Sequence, residues 1–338
     1  MSDEDQLSSG EADSHSEHAS SPTPETRPPH ASTTGRSLIL ATSILVLTTA
    51  IGGLQYRGPR PSTLDAPPDV ASAARMRKTL EHLIGPLAEP HTADTESGEA
   101  FLRRLEGVVE SYGVPSERIS IAWDPARHKR HPRGRDKPLA KFAELHNLLV
   151  TIEGSDPSLK PLLIATHHDS CIWGPGAGDA GSAVVALVEN IRIASLGQPR
   201  RKTYFLFTDG EEHGLLGANA IAFEKPLPFD EPAFVLNYDA RGNAGGVPMF
   251  ETHQENSAWV RKLIGKLAAP KITSSLAVTV YRSLPNATDF NVWNGELGWS
   301  GFNYATIGDA YRYHQPHDLP ETVSDRTLQH MGDHVLSM

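Results

Sequence analysis

From Asn147 onward the chain alternates short apolar runs with amphipathic stretches, and no other feature limits its fold as much. Leu148–Ile152 and Leu162–Thr166 read as strands, bounded by turn residues. Ser182–Leu196 reads as a helix, with Val184, Val185, Leu187, Val188 and Ile191 for packing. Strand 203–207, helix 214–223 and strand 233–237 follow. Then come helix 257–268, strand 277–281, helix 287–294, strand 302–306 and a last helix over Asp325–Leu336. Such alternation predicts an α/β fold around a central mixed, largely parallel sheet. In folds of this kind, functional sites collect at the carboxyl ends of the strands. No internal repeat is present.

The N-terminal part is organised differently. Residues 1–35 hold seven acids against the single Arg27 and almost no large apolar residue, which predicts a disordered acidic tail. That tail carries −6 of the net charge of −10, so the remaining −4 argues against a nucleic-acid partner. The uncharged run Ser37–Leu54, bounded by Arg36 and Arg57, nearly matches the roughly 20 residues that cross a bilayer. It predicts a single-pass anchor over 36–57, with membrane contact through residues 37–54. A cleaved signal peptide is the alternative, but a long acidic lead is atypical of a signal's short basic start. Residues 58–69 read as a linker. Val70–Leu83 and Glu99–Tyr112 have helical periodicity and open a domain running over 70–338. The stretch 127–135 reads as a basic, solvated loop. A single cysteine, Cys171, excludes an internal disulfide.

The chain has 16 histidines, and their placement matters more than their number. Five strand ends or the loops after them carry metal-type ligands: His167-His168-Asp169, the Gly176–Gly181 turn holding Asp179, Glu211-Glu212, Asn237-Tyr238-Asp239, and Tyr313–Asp318 with His314 and His317. Two adjacent glutamates at the end of a buried strand repel each other and lose solvation. The pair persists where a metal neutralises one and the other carries protons. Each element alone has an ordinary explanation: a core histidine for His167, a helix cap for Asp179, a turn for Asp239, a loop histidine for His314. Taken together, two histidines and several carboxylates in matching contexts are the inventory of a two-metal hydrolase.

The order His-x-Asp, Pro-Gly-Ala-x-Asp-x-Gly-Ser, Asp-x-Glu-Glu-x-Gly-Leu-x-Gly, Asn-x-Asp and Tyr-His-x-Pro-x-Asp resembles metallopeptidase family twenty-eight. These are co-catalytic zinc exopeptidases, among them leucyl aminopeptidases, aminopeptidase Y and glutamate carboxypeptidases. The resemblance covers about residues 70–338. Thr288-Asp289-Phe290 and Ile307–His314 are similar to the vacuolar membrane protease and endoplasmic reticulum metallopeptidase branch. The family's three-layer α/β/α zinc exopeptidase fold is thereby implied, with two zinc ions per chain. His167 and Asp239 would bind one zinc, Glu212 and His314 the other, and Asp179 would bridge them. Glu211 would be the general base and acid, and Asp169 would orient His167. His168 would line the pocket or point to the opposite face. Asp289 and His317 are candidate substrate contacts, although His317 reads first as a loop-stabilising histidine. Where family members flank the bridging aspartate with polar residues, this chain has Gly178 and Ala180, which puts local support of Asp179 in question.

The function this implies is a membrane-anchored exopeptidase acting on peptides, foremost an aminopeptidase, with its protease domain extracytoplasmic or lumenal. A carboxypeptidase or glutaminyl cyclase-like enzyme on the same scaffold is the alternative. A non-catalytic membrane-anchored binding domain is a third reading, but such relatives usually lose ligands or the base. The branch usually continues into further membrane helices, so an end at Met338 implies a truncated relative or a fragment. Oligomeric state has no sequence signature here.

Overall fold

Strands buried along their whole length need cover on both faces, and the described residues include four. A computed structural model of the protein describes residues 33–56, 58–123, 143–223, 230–253, 262, 264–267 and 271–338. The four are β3 (Leu162–His167), β4 (Thr203–Thr208), β5 (Phe234–Ala240) and β7 (Gly301–Thr306). They pair in parallel in the order β4-β3-β5-β7. Antiparallel strands complete seven: β1 (Ser116–Trp123) and β2 (Ala143–Ile152) beside β4, and β6 (Met249–Thr252) beside β7. Alternate residues feed two cores, as the period of a strand requires. Ile164, Phe205, Phe207, Leu236 and Phe302 enter one; Leu163, Ala165, Leu206 and Val235 enter the other.

Helices α2 (Ala73–Ile84), α3 (Glu96–Glu110), α4 (Ala183–Ser195) and α8 (Asp325–Leu336) cover the first core. Helices α5 (Leu216–Phe223) and α7 (Phe290–Gly295) cover the second. The result is the expected three-layer α/β/α arrangement around a mixed, largely parallel sheet. Helix α4 is buried from Ala183 to Ile191, which explains why its sequence is apolar on every face there. Its one charged group in that stretch, Glu189, is paired with Arg75 and Arg192, each at 2.9 Å. The segment 58–69, read as a linker, packs onto the domain: Arg75 donates to the carbonyls of Leu64, Ala66, Pro67 and Val70.

One element departs from expectation. Residues 277–281, read as a strand from Val278, Thr279 and Val280, lie inside a helix, α6 (Ser275–Ser283). Ser274 caps it, accepting from the Leu276 N–H at 3.2 Å, and β6 already occupies the place beside β7 that a strand would need. Most of helix 257–268, the basic loop 127–135 and the tail 1–32 lie outside the described residues.

The chain divides into two compact units, Met1–Thr48 and Thr49–Met338. The first is described only by its part of helix α1 (Thr33–Tyr56), where Leu38, Ile39, Leu40, Ile44, Leu45, Val46 and Leu47 are exposed. The stretch expected to be an anchor is helical as far as Tyr56. Among the described residues, however, no helix is long and apolar enough to cross a membrane. The apolar run also includes Ile51 and Leu54, whose side chains lie outside the described residues.

Candidate metal centre and catalytic cluster

Strand β3 is where the strand order reverses, since β4 lies on one side of it and β5 on the other. The crevice at the carboxyl end of such a strand is open because the connections leave in opposite directions. His167 is the last residue of β3, and Asp239 lies near the end of β5. Both stand two residues beyond the paired positions Ala165 and Asn237, so they share one sheet face. His167 Nε2 lies 3.5 Å from Asp239 Oδ1 and 3.3 Å from Asp179 Oδ1.

Asp179 enters from the other direction, in the turn Ala177–Ser182 that leads into α4. Its two oxygens face two imidazoles: Oδ1 faces His167, and Oδ2 is 3.2 Å from His314 Nε2. His314 Nε2 is also 2.8 Å from Glu212 Oε2. The loop after β7 brings His314 in with φ 57, a conformation L residues rarely adopt. Stacking on Tyr313 at 3.7 Å and the two carboxylates hold the ring there.

Asp169 does more than orient a histidine. It is fully buried, and its carboxylate lies 3.5 Å from His167 Nδ1, while its own carbonyl is 3.0 Å from the same nitrogen. The carboxylate also accepts from the backbone N–H of Glu211 at 3.0 Å and of Glu212 at 3.3 Å. One residue after β3 therefore fixes the glutamate pair after β4. His168 points to the opposite face, with Nε2 2.9 Å from the His146 carbonyl.

The charges show what the cluster lacks. Burial pushes Glu211 well above the usual carboxylate range, and Asp239, Glu212 and Asp289 push it further. Burial and Asp179 bring Glu212 up to about 8. Burial also raises Asp239. Burial opposes a charge on His167, yet Asp169, Asp179 and Asp239 outweigh it and hold its pKa well above 6.5. Burial likewise opposes a charge on His314, but Asp179 and Glu212 lift it to about 10. Asp179, despite its burial, is held below its usual range by the two imidazoles. Four carboxylates converge on two imidazoles, an excess of buried negative charge that calls for cations. His167 Nε2 is buried and without a hydrogen-bond partner, as a nitrogen kept for a metal would be. The donor set of imidazole and carboxylate fits zinc.

Ligand atoms of His167, Asp179 and Asp239 lie within 4.8 Å of one another, and so do those of Glu212, His314 and Cys171. The sequence reading named the two histidines and three carboxylates but not Cys171, whose only signal is its place four residues after His167. It also missed what Asp318 does. That buried carboxylate accepts from the backbone N–H of Gly178 at 2.6 Å and Asp179 at 3.2 Å, and from Asn243 Nδ2 at 2.7 Å. The missing polar flank of Asp179 is thus made good from another loop. A Cβ at Gly178 would fall on Asn243 and Asp318, so only glycine fits there. Asp289 is buried below the cluster, where burial brings it up to about 7 and the Thr208 hydroxyl donates to it. His317 is exposed, and its carbonyl accepts from Arg312 and Thr322. Neither Asp289 nor His317 lines the cavity beside the cluster.

Comparison with known proteins shows the family and the fold. The model of peptidase family M28 matches residues 147–338, the stretch that supplies every residue of the cluster. The chain belongs to peptidase family M28. A vacuolar membrane protease of Candida albicans is 27% identical over 248 residues, covering 73% of this chain but 28% of that protein. The chain therefore spans little more than a quarter of that relative's length. Among solved structures, a Zn-dependent exopeptidase from Parabacteroides distasonis superposes with a TM-score of 0.61 at 17% identity, over 79% of this chain and 97% of that one. The glutaminyl cyclase of Tannerella forsythia gives 0.62 at 15% identity, over the same shares. These two likenesses show that this M28 chain has the zinc exopeptidase fold.

Proposed function

We propose that this M28 chain is a zinc-dependent exopeptidase, foremost an aminopeptidase, that binds two zinc ions and hydrolyses a peptide bond next to a chain terminus. The observation that carries this reading is Asp179, whose two oxygens face His167 and His314 at 3.3 and 3.2 Å. His167 and Asp239 would complete one metal position, and Glu212 and His314 the other. Zinc held there would supply positive charge that polarises the scissile carbonyl and keeps nearby carboxylates ionised. Glu211 lines the adjoining cavity and is the carboxylate left over once ligands are assigned. With no metal to hold, it would take a proton from the attacking water and pass it to the leaving amine. Asp169 keeps Glu211 in place through the backbone.

Glu211→Gln is expected to lower kcat by at least about a hundredfold while zinc stays near two per chain. Full activity in that variant, or loss of metal with it, overturns the assignment. Glutaminyl cyclisation is the second reading, favoured by the likeness to the Tannerella forsythia enzyme. The complete bridging set supports two metals and hydrolysis instead. Aminoacyl and N-blocked peptides assayed side by side separate aminopeptidase, carboxypeptidase and cyclase action. Membrane attachment through α1 belongs to the same reading. Its exposed apolar side chains support it, as does the name of the Candida albicans relative.

A further inference from the structure

The cavity beside the cluster, about 590 Å³, is lined unevenly. Asp179, Glu211 and Asp239 form its floor, while Phe250, Leu276 and Val280 form an apolar wall. Arg241 is the one cationic side chain among its described lining residues. It follows Asp239 by two residues, and its N–H donates to the Thr306 carbonyl at 2.7 Å, which fixes where its side chain starts. Its guanidinium lies over the Tyr313 ring at 5.1 Å, and that ring in turn stacks on His314 at 3.7 Å. The arginine head is thus one aromatic ring away from a metal-ligating histidine.

Among the described residues, the Arg241 guanidinium forms no ion pair or hydrogen bond. A guanidinium held beside an aromatic ring, with no other polar partner, has its N–H groups available for a bidentate acceptor. Nothing in the cavity's own chemistry needs this cation, because the acids on the floor are matched by the imidazoles and the metal positions. The group that matches its free edge is a carboxylate brought by the ligand.

We propose that Arg241 receives a substrate carboxylate, so that this enzyme selects short peptides carrying a carboxylate next to the scissile bond and a large apolar side chain against the α6 wall. The proposal rests on the exopeptidase reading. The carboxylate has two sources, the free C-terminus of a dipeptide or an acidic side chain, and the test separates them.

The zinc-loaded 338-residue chain would be assayed on Phe-Leu against Phe-Leu-amide, and on Phe-Glu-amide against Phe-Gln-amide. A free C-terminus as the source gives about tenfold higher kcat/KM for Phe-Leu than for its amide. An acidic side chain gives the corresponding preference for Phe-Glu-amide over Phe-Gln-amide. In either case Arg241→Gln is expected to collapse the preference through KM, and Arg241→Lys to restore part of it. Equal rates within both pairs, or a preference that survives Arg241→Gln, overturn the proposal. If none of these peptides is cleaved, the exopeptidase reading has failed instead. Calorimetric titration of Glu211→Gln with Phe-Leu and its amide then still reads Arg241. About tenfold tighter binding of the acid, lost on adding Arg241→Gln, supports the carboxylate site, and equal binding sinks it.

Discussion

At the scale of single residues, two carboxylates shape the cluster through backbone N–H groups. Asp169 ties the end of β3 to the backbone of Glu211 and Glu212, and Asp318 ties the loop after β7 to the backbone of Gly178 and Asp179. Each spans a gap between segments distant in sequence, so the cluster keeps its shape. Removing such support typically costs metal affinity by about 10- to 100-fold. Asp318→Ala is accordingly expected to weaken zinc binding by that order in a chelator competition, with Glu211 untouched. Unchanged affinity would mean that Asp318 only packs the loop. Asp169 was legible through the His-x-Asp motif of the family resemblance, although the residue itself lies just past the end of β3. Asp318 was not legible as a support. It lies in the Tyr313–Asp318 motif, but its partners are backbone N–H groups about 140 residues away.

At the scale of elements, the buried strands were legible and the edges were not. β3, β4, β5 and β7 are continuous apolar runs because helices cover both faces. β1 alternates exposed and half-buried residues along its length, so its sequence lacks an apolar run. α6 shows the reverse error: β-branched residues suggested a strand, whereas the Ser274 cap and the apolar side chains at Leu276, Val280 and Leu284 serve a helix that walls the cavity. The membrane role assigned to α1 is tested at this scale too. The full chain is expected to float with liposomes in a density gradient, and residues 58–338 alone to remain at the bottom. Equal flotation of both would move the contact elsewhere.

At the scale of the whole molecule, burial of neutral histidines links stability to pH. Burial pushes His91 down to about 3, with His168 adding to it; burial pushes His334 to about 3 as well, with His330 adding to it. His91 stacks on Phe101 at 4.0 Å, and His334 Nδ1 is 2.8 Å from the Tyr238 hydroxyl. In the unfolded chain both titrate near 6.5. Below that value the unfolded state binds protons that the folded state refuses. Stability therefore falls as pH drops from 6.5 towards 3 and is fully present above 6.5. Each histidine is expected to remove about 2 kcal/mol between pH 7 and pH 5. Urea unfolding of wild type and His334→Gln at both pH values checks this, since other titrating groups cancel in the difference. Parallel losses in the two proteins would show that His334 does not contribute.

The sequence by itself determined the α/β class, the buried strands and the identity of the two histidines and three carboxylates that converge. It could do so because strand periodicity and strand-end position are local properties. Tertiary structure alone decided that Asp179 faces both imidazoles, that Asp318 supports it, that Cys171 stands beside Glu212 and His314, and that Arg241 shares their cavity. Those relations depend on the order in which strands lie side by side, and that order follows from how the whole core packs.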